Sequence, residues 1–287
     1  MLMNYIYLPE FNRFIFSVNL FGLQISATWY GFMYALGFLI GYLFLVYWSK
    51  TKKITLTYDD IFDLIIYVFL GVVIGGRLGY VIFYNLPYYL ENPSKIFAVW
   101  EGGMSFHGGL IGVIIAIWIY SSVKRLILFD VLDVISILVP IGLGLGRIGN
   151  FINQELYGRV AYNVPWAMIF PTDPQKLPRH PSQIYEFLLE GVCLFTIMWL
   201  TKDRKLPVGI RASIFGIGYA SFRIIAEFFR EPDPQIGYIL GFLTMGQILS
   251  LIMLIIAIWL FFYFKKQNMK SKIFIYEVQN RSPKKGK

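Results

Sequence analysis

Two stretches of this chain, residues 102–123 and 236–264, contain no Asp, Glu, Lys or Arg and consist largely of Ile, Leu, Val, Phe and Gly. About 20 such residues span the hydrocarbon of a bilayer as a helix. Within lipid every backbone polar group has to be bonded inside the segment or its bundle, so helices and closed barrels are the only spanning structures. Segments this long and continuously apolar fit the first of these. The whole chain agrees: 57% of its 287 residues are hydrophobic and 15% charged, against about 25% charged in soluble domains. The expectation is an all-α polytopic membrane protein forming a single domain, with no repeat or linker dividing it.

Seven apolar segments can be delimited, at residues 26–48, 61–84, 106–123, 131–146, 184–200, 212–229 and 238–264. The fourth is short for a full span and is expected to tilt, thin the bilayer or break into the polar stretch that follows. Lys and Arg set the orientation, because cytoplasmic loops collect them. With the N-terminus outside, the cytoplasmic side receives Lys50, Lys52, Lys53, Lys124, Arg125, Lys202, Arg204, Lys205, Arg211 and the basic tail of residues 265–287. That is most of the 26 basic residues, so the expected topology is N-out and C-in. The tail, and the net charge of +9 it contributes to, suit anionic lipid headgroups; nothing points to nucleic acid. Residues 1–25 mix apolar and polar positions as an outer-face interfacial element does. Residues 147–183 hold five prolines that exclude a long helix, and form an outer-face arm. The first residues lack the basic start, apolar run and small-residue cleavage site of a removable signal peptide.

Cysteine and histidine narrow the chemistry. One cysteine, Cys193, excludes an intramolecular disulfide and a Cys-based metal site; it lies in "GVCLFTIMWL", the place of an inert core filler. Two histidines, His107 and His180, are too few for a His-based metal centre. No G-x-S-x-G or H-E-x-x-H pattern is present.

Ionisable groups inside spans are functional candidates by default. With the topology above, Tyr30, Arg77, His107, Arg147, Glu186, Glu190, Arg223 and Glu227 all fall in the outer half of their segments, which describes a cavity open to the outer leaflet. Plainer readings exist for each. Arg223 and Glu227, four residues apart, can be a simple intrahelical pair. Arg77 can reach out to the headgroups, and His107 can be a structural hydrogen-bonding residue. The glycines of "GGMSFHGGLIG" and "GLGLGRIGN" either let a ligand approach the backbone or pack helices. Separated arginines favour a phosphate-bearing ligand, since a planar guanidinium grips phosphate with two donors. From the residues alone the chain is a membrane enzyme or carrier handling an anionic lipid.

The motifs are more specific than this. "GRIGNFINQELYGR" at 146–159, "GGMSFHGGLIG" at 102–112, "RHPSQIYE" at 179–186, "WYGFMYALGF" at 29–38 and "FRIIAEFFREPD" at 222–233 resemble the bacterial prolipoprotein diacylglyceryl transferases, in that family's order and along essentially the whole chain. The resemblance implies an enzyme of the bacterial cytoplasmic (inner) membrane with its active site facing the outer leaflet. It would transfer the diacylglyceryl group of phosphatidylglycerol to the lipobox cysteine thiol of preprolipoproteins, with no metal or other cofactor. By the same resemblance Arg147 would bind the lipid phosphate, with Asn150, Glu155 and Gly158 completing that site and Tyr30 lining the lipid cavity. Arg223 would stabilise the leaving group, oriented by Glu227, and His107 would be the general base. The competing class is a lipid or anion transporter using the same arginines, although transporter sites lie nearer the midplane between repeats.

Overall fold

A helix forms at each of the seven apolar segments in the computed structural model, which describes residues 5–20, 23–99, 102–232, 238–239, 241 and 243–276. In chain order the elements begin with short β1 (Ile6–Tyr7) and the strands β2 (Phe14–Leu20) and β3 (Leu23–Thr28). Helices α1 (Trp29–Lys50) and α2 (Tyr58–Tyr84), the short α3 (Leu86–Glu91), a 3-10 turn (Pro93–Phe97), α4 (Phe106–Val123) and α5 (Leu128–Ile152) follow. Then come β4 (Met168–Ile169), β5 (Pro178–Arg179), α6 (Ser182–Glu186), a π-helical stretch (Phe187–Cys193), α7 (Leu194–Trp199), α8 (Ile210–Glu227) and α9 (Met245–Gln267). Among the described residues α1, α2, α5 and α9 are long and apolar enough to cross a membrane.

Local chemistry accounts for several boundaries. Helix α2 opens on a capping box in which Thr57 and Asp60 bond reciprocally at 3.2 and 3.1 Å, and Asp59 and Asp60 meet the positive end of its dipole. Helix α9 opens on a second box, Thr244 with Gln247, and closes on Asn268 in the left-handed region with Lys265 and Lys266 in its last turn.

Three expectations require correction. The chain is mostly helical but not all-α. Strands β2 and β3 form an antiparallel hairpin with Ser17 opposite Ser26, and β1, β4 and β5 form a small second sheet. The fourth segment is neither short nor broken: α5 continues without interruption through Arg147 and Asn150 to Ile152. Polar side chains do not end a helix when they find partners beside it. Cys193 is exposed rather than core. A helix in lipid is as apolar outside as inside, so hydropathy does not tell the two faces apart. Helix α9 shows the same thing, with Ile255, Trp259 and Phe262 each about 60% exposed at 61%, 62% and 62%.

The described residues fall into two compact units. One draws on Phe44–Val131, Asp203–Lys205 and Lys270–Lys287. Its centre is the crossing of α2 and α4, where a Cβ on Gly71 would lie 2.7 Å from the Gly112 carbonyl oxygen and one on Gly79 would lie 2.6 Å from the Gly108 Cα. Backbones this close exclude any side chain, which is how membrane helices associate without a hydrophobic driving force. Glycines Gly108 and Gly112 of "GGMSFHGGLIG" are therefore packing residues. At the same end as the Thr57–Asp60 capping box, where the Thr55 amide donates to the Ile273 carbonyl at 2.8 Å, Asp130 receives the Ser271 hydroxyl at 2.5 Å and the amides of Lys272 and Ile273 at 2.7 and 3.1 Å. That clips residues 270–276 of the basic tail; residues 277–287 lie outside the described residues. Arg77 does not reach for headgroups: it is 4% exposed and bonded to main-chain oxygens.

The other unit draws on Met1–Leu43, Leu132–Lys202 and Leu206–Met269. In it α8 packs along α9, and α6, the π stretch and α7 make one continuous rod. Gly144 of α5 meets Gly191 of the rod, each leaving no room for a Cβ on the other at 3.2 and 2.8 Å. The arm after α5 is ordered around Asp173, a buried carboxylate that accepts from Arg179 Nε at 2.5 Å and from the amides of Gln175 and Leu177, both at 3.2 Å. Burial pushes this carboxyl up, but the Arg179 and amide hydrogen bonds outweigh it and hold the group below the usual carboxylate range. A depressed pKa contributes stability that is present above the ordinary carboxyl value of about 3.9 and lost as pH falls through the lower folded value. Asp173→Asn should therefore loosen the arm by roughly 3 kcal/mol at neutral pH, as expected when one partner of a buried pair is removed. Hydrogen exchange at residues 173–179 checks this. Wild-type protection should hold from pH 7 down to about 4 and fall below it, and equal protection in the Asn variant would show that the carboxylate does not order the arm.

Candidate functional site

Three arginines and three glutamates converge inside the second unit. Arg147 comes from α5, Glu186 and Glu190 from the rod, Arg223 and Glu227 from α8, and Arg230 from the turn just after it. Glu186 is the hub. Its Oε2 lies 2.8 Å from Arg147 Nε and 3.0 Å from Arg223 Nη1, and its Oε1 lies 3.5 Å from Arg230 Nη1. Glu190 accepts from Arg147 Nη2 at 3.1 Å and faces Arg223 at 3.6 Å. Glu227 pairs with Arg223 on its own helix and accepts from the Thr244 hydroxyl at 3.0 Å.

The sequence builds this locally. The two glutamates stand four residues apart, and the second falls within the π stretch, a widened turn of the kind that recurs at functional sites. Both present their carboxylates to the same pair of arginines. Gly246, in the first turn of α9, leaves the space that the Glu227 carboxylate fills, since a Cβ there would be 2.7 Å from its Cδ. Glu186 and Glu190 are 1% and 0% exposed. Buried charges survive only when paired, and each of the three glutamates has an arginine partner; Glu190 Oε1 faces Arg223 as an ion pair without a hydrogen bond among the described residues.

Beside Arg147 opens a cleft of about 60 Å³ lined by Arg147, Ile148, Phe151, Gln183, Ile184 and Phe187. Next to it on α5 Gly149 packs against Tyr30, where a Cβ would stand 3.0 Å from the ring. The Tyr30 hydroxyl donates to Tyr34 at 3.2 Å. Asn150 donates its amide to Glu155 at 2.8 Å, and Asn153 donates to the same oxygen at 3.3 Å, so Glu155, itself exposed, is oriented by two amides. Gly158 is buried, donates its amide to the His180 carbonyl at 2.8 Å and has no room for a Cβ, which would lie 2.7 Å from that oxygen.

Arg159 donates to the carbonyls of Arg230 at 2.9 Å and Glu227 at 3.2 Å, closing the C-terminal end of α8. Burial first, and the charge of Arg159 second, hold His180 below its usual range, so at neutral pH its ring is uncharged. Its Nδ1 lies 3.1 Å from the Tyr185 hydroxyl.

Of the residues expected from the sequence, Arg147, Arg223 and Glu227 thus share one ion network. Tyr30 adjoins that network through Gly149, while Asn150, Glu155 and Gly158 shape the turn after α5. His107 is the second residue of α4, in the other unit, and its side chain lies outside the described residues. Sequence reasoning did not assign roles to Glu186, Glu190, Arg230, Thr244 or Arg159. Charge balance was the available signal: buried arginines demand carboxylates, and the two glutamates of the fifth segment were at hand. The glycines of "GLGLGRIGN" that have close neighbours, Gly144 and Gly149, meet Gly191 and Tyr30.

The model of one protein family, described as prolipoprotein diacylglyceryl transferase, matches residues 18–263. The chain belongs to that family. A relative from Azotobacter vinelandii is 51% identical over 237 residues, covering 80% of this chain and 87% of its own. Others from Legionella pneumophila and Yersinia pestis are 48% and 46% identical, covering 88% and 89% of this chain and 96% and 94% of theirs. All three are named phosphatidylglycerol–prolipoprotein diacylglyceryl transferase. Within this family member the network makes a clear demand. Glu186→Ala should leave three guanidiniums without their shared carboxylate and cost about 3–5 kcal/mol, the usual loss when a buried charge loses its partner. Thermal unfolding in detergent measures it, and an unchanged melting temperature would mean the arginines are neutralised elsewhere.

Proposed function

We propose that this chain transfers the diacylglyceryl group of phosphatidylglycerol to the lipobox cysteine thiol of preprolipoproteins. The observation that carries the reading is the buried network in which Arg147 and Arg223, from two helices, share the Glu186 carboxylate at 2.8 and 3.0 Å. The relatives' name and the family membership support it. The forked N–H donors of these guanidiniums donate to carboxylate and phosphate oxygens alike, so an oxyanion of the lipid phosphate is a partner of the same kind.

In this reading Arg147 binds the phosphate beside its cleft. Asn150, Glu155 and Gly158 form the turn that holds the headgroup glycerol, and Tyr30 lines the lipid side. The substrate supplies the nucleophile. His107 takes the thiol proton, its unperturbed pKa near 6.5 being suited to that at neutral pH. The thiolate forms the S–C bond at the glycerol carbon, the C–O bond to phosphate breaks, and glycerol phosphate leaves with its electron pair. Arg223, held by Glu227, stabilises the charge that develops on the departing oxygen. No metal or other cofactor takes part.

The seven helices cross the bacterial inner membrane with the N-terminus outside, and the site serves the outer leaflet. The exposed Lys265, Lys266, Lys270 and Lys272 rest on anionic lipid of the opposite face.

The test combines the purified protein, phosphatidylglycerol vesicles and a lipobox peptide. Covalent lipid on the peptide is the expected product; lipid moved between leaflets with an unmodified peptide would select a transporter. Arg147→Lys should lose at least about tenfold in rate, because a point charge does not reproduce two parallel hydrogen bonds, and near-normal transfer by this variant would reduce the requirement to charge alone. His107→Gln keeps a hydrogen-bonding group but no base. Its rate should fall roughly 10²–10⁴-fold at pH 7 and recover in part toward pH 9.5, where a thiol of pKa about 8.5 ionises unaided. Retained activity with a wild-type pH profile would remove His107 from catalysis.

A further inference from the structure

A buried guanidinium is usually met by a carboxylate. Arg77 of α2 is met by main-chain oxygens. Its Nε donates to the Ile96 carbonyl at 2.8 Å and its Nη2 to Lys95 at 2.5 Å, while Nη1 donates to Gly102 and, at 3.2 Å, to Gly103. The Tyr89 ring lies 5.2 Å from its central carbon. The four carbonyls come from the two ends of one loop between α3 and α4, so a single side chain draws that loop together.

The loop is shaped to accept this. Gly102 and Gly103 both have left-handed backbones, at φ 85° and 79°, and a Cβ on Gly103 would lie 2.6 Å from the Tyr80 ring and 3.0 Å from Arg77 Nη1. Two residues on, the Ser105 amide donates to the carbonyl of Gly76, the neighbour of Arg77, at 2.8 Å. The Ser105 hydroxyl then accepts from the Gly108 amide at 3.2 Å and caps α4. The start of α4 is therefore pinned to the Gly76–Arg77 stretch of α2, and His107 is the second residue of α4.

We infer that Arg77 is a positioning residue for the transfer reaction, fixing the loop and thereby the first turn of α4 that carries His107. The inference rests on the reading of His107 as general base. Lysine cannot take over the role, since one ammonium does not span carbonyls that a planar fork with five donors reaches. A group displaced by about 1 Å costs on the order of 10²-fold in rate.

The experiment measures initial rates with phosphatidylglycerol vesicles and a lipobox peptide from about pH 6.5 to 9.5, across the ordinary thiol pKa of about 8.5. It compares wild type, Arg77→Lys, His107→Gln and the double variant. Arg77→Lys should lower kcat about 10- to 100-fold with KM for the lipid nearly unchanged. Its deficit should shrink at high pH as that of His107→Gln does, and the double variant should be no slower than His107→Gln alone. Multiplicative losses, a pH-independent deficit or full activity of Arg77→Lys would overturn the positioning role while leaving the base assignment standing. Full activity of His107→Gln would overturn the base assignment itself, and the inference with it. If Arg77→Lys does not fold, Ser105→Ala decides: it loosens the same turn without touching the guanidinium and should show a smaller kcat loss with the same pH recovery. A wild-type rate and profile for Ser105→Ala would overturn the inference.

Discussion

The arrangement of charge in this protein depends on one carboxylate. Glu186, fully buried, is shared by guanidiniums from α5, from α8 and from the turn after α8. Each arginine on its own would be too costly to hold away from water, and each glutamate likewise. Among the described residues these three arginines and three glutamates form one network, with Thr244 supplying a further donor to Glu227. The guanidinium donors are thereby held in fixed directions by their carboxylate partners.

Glycine makes this density of charge possible. The rod approaches α5 at Gly144 and Gly191, Tyr30 folds over Gly149, and Gly246 gives room to the Glu227 carboxylate. In the other unit Gly71, Gly75 and Gly79 of α2 lie against Gly108 and Gly112 of α4. Where lipid offers no less favourable surroundings than a neighbouring helix, close backbone contact is what holds helices together. The α2 and α4 glycines pack helices, while Gly144, Gly191 and Gly246 lie beside the ion network and leave room for its side chains and the close approach of its helices.

Arg77 shows a different solution to the same difficulty. Its charge is dispersed over four carbonyls and an aromatic face instead of a carboxylate. Backbone oxygens of a loop are otherwise in need of donors, so the residue and the loop each supply what the other lacks. Nothing in the local sequence "GGRLGY" announces this, because the acceptors lie 18 to 26 residues away.

The positions of the helices were legible in the sequence because the bilayer acts on each short window of residues separately: an apolar run of sufficient length has one stable conformation there. Motif spacing was legible too, and Arg147, Arg223 and Glu227 were visible as charges within or at the end of apolar segments. The extent of α5 was misjudged because Arg147 and Asn150 look like the end of an apolar segment until their partners Glu186, Glu190 and Glu155 are in place. Cys193 was misjudged because outward and inward faces of a helix in lipid are equally apolar. The sequence by itself determined where helices form and which charges must be compensated. Tertiary structure alone decided which carboxylate compensates which arginine, because such pairing is a matter of distances between helices that no single segment encodes.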